Sequence, residues 1–135
     1  MLVTKEQTTP VRTEQDVVRV RQLARHWAEE LRFSLVDQTK LVTAASELAR
    51  NTVIYGGGGT VRLEALNRDN RMGLRLTFED QGPGIPDVDL ALKDGYTTGS
   101  GLGLGLGGAK RLVNDFEIYS RPGAGTRVAI VRWKP

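Results

Sequence analysis

Apolar residues recur along the first half of the chain with a helical period and then switch to strict alternation. Val17, Val20, Ala24, Trp27 and Leu31 stand at steps of three and four, one stripe of an amphipathic helix. Thr13 before it reads as an N-cap, with Asp16 three residues on as an approximate capping box. His26 lies beside that stripe and reads as a structural residue. A second helix is predicted over 36–55, with Leu41, Ala44, Ala45, Leu48 and Thr52 on its buried side, and the glycines at 56–59 end it. The period then becomes two. Val61, Leu63 and Ala65 alternate with Arg62 and Glu64, and Leu74, Leu76 and Phe78 alternate with Arg75 and Thr77. That is a hairpin of half-buried strands around a polar turn at 67–71.

The ends of the chain complete the plan. Residues 3–12 form extended sequence containing Pro10, which lacks the N–H a central strand must donate, so they predict an edge strand or a loose arm. Strands are predicted at 116–120 and 127–133, joined by a turn over 121–125, with a third helix at about 107–114 and a short one near 88–93. The sum is an α+β, two-layer α/β sandwich: a mainly antiparallel sheet covered on one face by helices. The segment 80–108 is long and irregular for a compact domain, which points to function.

Composition narrows this little. The 135 residues suit one domain, spanning 1–135, with a core large enough to need no staples. Cysteine is absent, which excludes disulfides and thiolate metal sites and is compatible with a reducing cytoplasm. No apolar run approaches the roughly 20 residues of a membrane span, and no secretory leader is visible at the N-terminus. The net charge of +3 arises from interleaved acids and bases, and no basic cluster is interspersed with aromatics. Neither nucleic acid nor membrane is an expected partner.

Three motifs and one residue carry the chemistry. Glu47 and Asn51 lie four apart on the second helix, hence on one face, about 6 Å between β-carbons. A carboxylate there can take a proton from a nucleophile, and an amide oxygen can ligate a hard cation such as Mg²⁺. Asp80, Gly82 and Gly84 follow a strand in the string Asp80-Gln81-Gly82-Pro83-Gly84-Ile85. An acid at its start can accept a hydrogen bond from an exocyclic amine such as that of adenine, and the glycines let a flat ring approach the backbone. The third motif is Gly99-Ser100-Gly101-Leu102-Gly103-Leu104-Gly105-Leu106-Gly107-Gly108. Its free N–H groups can converge on phosphate oxygens. It lacks the preceding strand of a dinucleotide fingerprint and the Gly-Lys-Ser/Thr of a P-loop, and its leucines suggest a lid that packs when closed. Thr126, after Gly125, can reach a bound base directly or through water.

In this order, Glu-x-x-x-Asn, Asp-x-Gly-x-Gly, a Gly-Leu-Gly lid and Gly-Thr resemble the GHKL ATPase superfamily, whose fold is the Bergerat sandwich. The stretches Thr13-Glu14-x-Asp16, Val36-Asp37-Gln38, Ser46-Glu47-Leu48-Ala49-Arg50-Asn51, residues 79–87, Asp94-Gly95, Gly101-Leu102-Gly103 and Lys110-Arg111-Leu112 resemble one branch. That branch comprises the anti-sigma-factor and switch-protein serine/threonine kinases of bacterial partner switching, the stressosome kinase above all. The resemblance implies ATP and Mg²⁺ as cofactors and a cytoplasmic location. It implies Glu47 as general base, Asn51 on Mg²⁺, and Asp80 on the adenine amine. Gly82 and Gly84 would shape the base pocket, Gly101, Gly103, Gly105 and Gly107 would cover the phosphates, and Thr126 would complete the base site. Arg50 and Lys110 are candidates for charge near the γ-phosphate. The implied partners are a STAS-domain antagonist bearing the acceptor hydroxyl, a PP2C-type phosphatase that the freed kinase activates, and a sigma factor as a further candidate. The alternative is a non-enzymatic anti-sigma factor or co-activator in which ATP is only a structural ligand.

Overall fold

The structure, a computed structural model, describes residues 1–93 and 105–135. Five strands, β1 (Leu2–Val11), β2 (Gly59–Arg68), β3 (Arg71–Asp80), β4 (Asp115–Ser120) and β5 (Thr126–Trp133), form one sheet in the order β1-β2-β3-β5-β4. Every neighbouring pair is antiparallel. The helices are α1 (Glu14–Glu30), α2 (Leu35–Ile54), α3 (Val88–Ala91) and α4 (Gly105–Arg111).

Local chemistry explains the boundaries. The capping box closes as expected: Thr13 Oγ1 accepts from the Asp16 amide at 3.1 Å, and Asp16 Oδ2 accepts from the Thr13 amide at 3.2 Å. Ser34 caps α2 in the same manner, its hydroxyl accepting from the Asp37 amide at 3.1 Å. The β2–β3 hairpin turns on Asp69 and Asn70, with φ of 51° and 69°. Both are left-handed, which suits a two-residue turn matched to strand twist and which short Asx side chains tolerate. β1 is the edge strand that Pro10 allows.

Alternation along the strands builds the core. Val61, Leu63, Leu74, Leu76, Phe78, Val128 and Ile130 meet Val20, Ala24 and Trp27 of α1 and Leu41, Ala44, Ala45 and Leu48 of α2. His26, by contrast, lies on the exposed side of α1, where Nε2 stands 2.8 Å from Glu30. On the far face of the sheet Glu64 is buried beneath Arg75, which donates to it through Nε at 2.8 Å and through a second nitrogen at 3.1 Å. The Arg75 hydrogen bonds hold that carboxyl below its ordinary range.

One helix departs from the expectation of 107–114. α4 begins at Gly105, whose φ of 70° turns the chain into it, and ends at Arg111. Asn114, one residue before β4, bonds the sheet instead, its amide donating to the Val131 carbonyl at 2.9 Å and its Oδ1 accepting from the Trp133 amide at 2.7 Å. Those two bonds tie the residue to β5 and stop the helix short of it. α3 likewise ends at Ala91 rather than 93.

Candidate functional site

A cleft of about 690 Å³ opens between α2 and the ends of β3 and β5. α2 contributes Glu47, Arg50 and Asn51 along one side, as their spacing requires. Asp80 ends β3, Thr126 begins β5, and the two pair directly in the ladder. Leu48, Phe78, Ile85, Leu106 and Val128 supply apolar walls. A slot with apolar walls, two polar groups at one end and a carboxylate, an amide and a guanidinium along the side suits a flat base joined to a charged tail.

Close backbone approach builds the base end. The Gly82 amide donates to Asp80 Oδ1 at 2.9 Å. A β-carbon on Gly56 would fall 2.5 Å from Asp80 Oδ2, and one on Gly125 would fall 2.2 Å from the Asp80 carbonyl oxygen. Gly84, with φ of 79°, lies against the Arg121 carbonyl, where a β-carbon would come within 2.0 Å. These are contacts only glycine permits.

The other end centres on Glu47. Its side chain is 9% exposed, with Oε2 3.3 Å from Arg50 and Oε1 accepting from the Gly105 amide at 3.1 Å. The carboxylate thus joins α2 to the first residue of α4. Leu106 beside it is buried in the core, while Leu102 and Leu104, expected to pack as part of a lid, lie outside the described residues.

The structure brings Glu47, Arg50, Asn51, Asp80, Gly84, Gly105 and Thr126 to the cleft wall. Gly82 stands behind it, acting on Asp80 through its amide. Gly107 packs against the C-cap of α3, where a β-carbon would sit 2.4 Å from the Leu92 carbonyl oxygen. Lys110 is exposed on α4, beside a groove that Asn114 and Phe116 also line. Gly101 and Gly103, expected over the phosphates, lie outside the described residues.

Sequence reasoning missed Ser120. Its hydroxyl is 2.7 Å from the Ile85 amide and 2.8 Å from Thr126 Oγ1, and so holds both the Asp80 loop and the threonine. A serine at the end of a short strand carries no signal by itself. Gly56 and Gly125 were read as helix end and turn; their contact with Asp80 depends on tertiary closure.

Residues 36–135 match the family described as histidine kinase-, DNA gyrase B-, and HSP90-like ATPase. The chain is 46% identical over 123 residues to the serine/threonine-protein kinase RsbT of Bacillus subtilis strain 168, covering 91% of this chain and 92% of that one. It is 31% identical over 101 residues to the anti-sigma F factor of Bacillus licheniformis, covering 70% and 68%. Among solved structures, the RsbU and RsbW domains of a Mycobacterium tuberculosis protein superpose with a TM-score of 0.65 at 21% identity, over 98% of this chain and 34% of that chain. The mycobacterial sensor histidine kinase MprB superposes with a TM-score of 0.54 at 20% identity, over 96% and 97%. Both structural likenesses speak for the fold alone. The matched family and the RsbT identity show more: the chain belongs to the histidine kinase-, DNA gyrase B- and HSP90-like ATPases, domains that bind ATP.

Proposed function

We propose that this domain is a serine/threonine protein kinase that transfers the γ-phosphoryl group of ATP to a hydroxyl of a STAS-domain partner. Released from that partner, it binds and activates a PP2C-type phosphatase. The observation that carries the chemistry is Glu47, a carboxylate held at the cleft wall between Arg50 and the Gly105 amide. The 46% identity to RsbT supports transfer to a protein hydroxyl.

Each residue then has a task. The apolar walls and the pair Asp80 and Thr126 hold adenine. Glu47 accepts the proton of the incoming hydroxyl, and Arg50 offers positive charge beside it. Mg²⁺ is typically bound through one or two protein oxygens, with phosphates and waters completing its shell. Asn51 would hold it. When bound, Mg²⁺ supplies charge neutralisation at the phosphates, so the remaining work is positioning and electrostatics. The cytoplasm, where ATP is abundant, is the compartment this activity requires, and no helix among the described residues is long and apolar enough to cross a membrane.

The likeness to an anti-sigma F factor favours a second reading, in which the domain binds a sigma factor directly and binding is its main output. Incubating the protein with labelled ATP, Mg²⁺ and a STAS-domain protein separates the two. Label on a serine or threonine of the partner is expected. Nucleotide binding without transfer to any STAS protein would leave the binding reading, and label on His26 would replace both with autophosphorylation.

A further inference from the structure

One row of side chains on α2 begins far from the cleft and ends in it. Leu35, Thr39, Thr43, Glu47, Arg50 and Ile54 follow at steps of four and three, so they share one face of the helix. Glu47, Arg50 and Ile54 line the cleft. Glu47 is the buried member of the row; the others are exposed, as are Val36 and Lys40 beside them. At 1.5 Å per residue, Leu35 stands about 18 Å from Glu47 along the helix axis.

The apolar head of this row does not belong to the core. Leu35 and Val36 are 70% and 62% exposed, although both open a helix whose start depends on neither. Ser34 caps that start, and Phe33 before it is the apolar residue that enters the core. A single exposed apolar side chain is ordinary. A leucine and a valine side by side, at the head of a row that leads into the cleft, make a patch for another molecule to cover. The charges of the helix indicate that molecule's chemistry. Both acids of α2 are withdrawn: Asp37 is buried against Arg132, and Glu47 against Arg50 and the Gly105 amide. Both cations, Lys40 and Arg50, are exposed. Because Arg132 already neutralises Asp37, Lys40 leaves the outer surface of α2 positive, which suits an acidic partner.

We propose that this face of α2 is the docking track for the protein that carries the acceptor hydroxyl, a partner that seats apolar side chains on Leu35 and Val36 and carboxylates near Lys40. The inference rests on the kinase reading of the cleft. From an anchor at Leu35 and Val36, about six extended residues or a helix of about twelve reach Glu47. The anchor therefore stays about three helical turns from the reacting atoms while the hydroxyl meets the carboxylate. Contacts so placed are equal in the ground and transition states, so they set the affinity for the partner and leave the chemical step alone.

The test separates affinity from chemistry. Steady-state phosphorylation of a STAS-domain protein is measured in wild type, Leu35→Ala/Val36→Ala and Lys40→Glu, with ATP affinity measured alongside to report an intact cleft. Alanine suits a helix at least as well as leucine or valine, so the fold is not put at risk. The double variant should raise the KM for the protein substrate about tenfold, roughly what burying one aliphatic side chain contributes, with kcat and ATP affinity unchanged. Lys40→Glu should raise that KM about three- to fivefold, and more at low salt than at high salt. Leu2→Ala, at a similarly exposed leucine on β1, should leave it unchanged. A KM that the double variant does not move, or that Lys40→Glu lowers, overturns the proposal while transfer by wild type keeps the kinase reading standing. ATP affinity that falls with the KM would assign the two residues to the domain's own packing, and self-association that the double variant abolishes would assign the patch to a second copy; either overturns it. Wild type that phosphorylates no STAS-domain protein overturns both.

Discussion

The ion pair between Asp37 and Arg132 gives a stability prediction that the structure lets us size. Asp37 lies in the first turn of α2, Arg132 near the end of β5, and their side chains are only 12% and 13% exposed. Asp37 also accepts from the Ser34 hydroxyl at 2.9 Å, and Arg132 donates to the Leu112 carbonyl at 2.9 Å. The arginine thus joins α2, which carries Glu47, to β5, which carries Thr126, and to the segment after α4. Asp37→Ala leaves a guanidinium largely out of water with the Leu112 carbonyl as its acceptor, and among the described residues Arg132 Nε has no partner. Removing one partner of such a pair costs about 3 kcal/mol, the low end of the range because a little solvent reaches both groups. For a domain of this size that is a fall in Tm of about 10 °C. Asp37→Leu combined with Arg132→Met should recover most of the loss, since no charge is then stranded.

The same pair sets an acid limit. The Arg132 hydrogen bond holds the Asp37 carboxyl below its usual value. A depressed folded-state pKa means that the contribution is complete above the unfolded value of about 4 and is lost as pH falls through the folded one. Urea titrations of wild type and Asp37→Ala should therefore show a gap that is constant above about pH 5 and narrows as the pH falls below about 4. A loss below about 0.5 kcal/mol at pH 7, the scale of an exposed pair, would refute the reasoning, as would a gap that does not narrow between about pH 5 and pH 3.

Other outcomes follow from single contacts. Gly125→Ala puts a β-carbon 2.2 Å from the Asp80 carbonyl at a φ of 79°, so it should lower ATP affinity more than tenfold in calorimetry. Thr13→Ala removes the capping hydroxyl of α1 and should cost about 1 kcal/mol in denaturant titration, with nucleotide affinity unchanged. Asn51→Ala should weaken ATP binding in Mg²⁺ far more than ATP binding in EDTA, because its amide is proposed to act through the metal.

Which parts of this molecule were legible beforehand follows from the range of the forces involved. The capping box of α1, the apolar stripe, the hairpin and Pro10 on an edge depend on residues a few positions apart, and all appear where the pattern put them. Glu47, Asn51 and Asp80 were readable because their motifs are local, although their convergence on one cleft required the fold. The start of α4 was not readable, because a glycine-rich run shows nothing of where its helix begins; the chain enters it at Gly105 with φ of 70°. Ser120, Gly56 and Gly125 were invisible as site residues: their partners Ile85, Asp80 and Thr126 meet them across three strands and a loop.

The central claim is that Glu47 acts in transfer and the cleft binds nucleotide without its help. Single-turnover phosphorylation of a STAS-domain partner, run beside ATP affinity in wild type and Glu47→Gln, tests it most directly. The expected result is an affinity within about threefold of wild type and a transfer rate reduced at least about a hundredfold. Transfer that proceeds at the wild-type rate in Glu47→Gln, or affinity and rate that fall together, would contradict it.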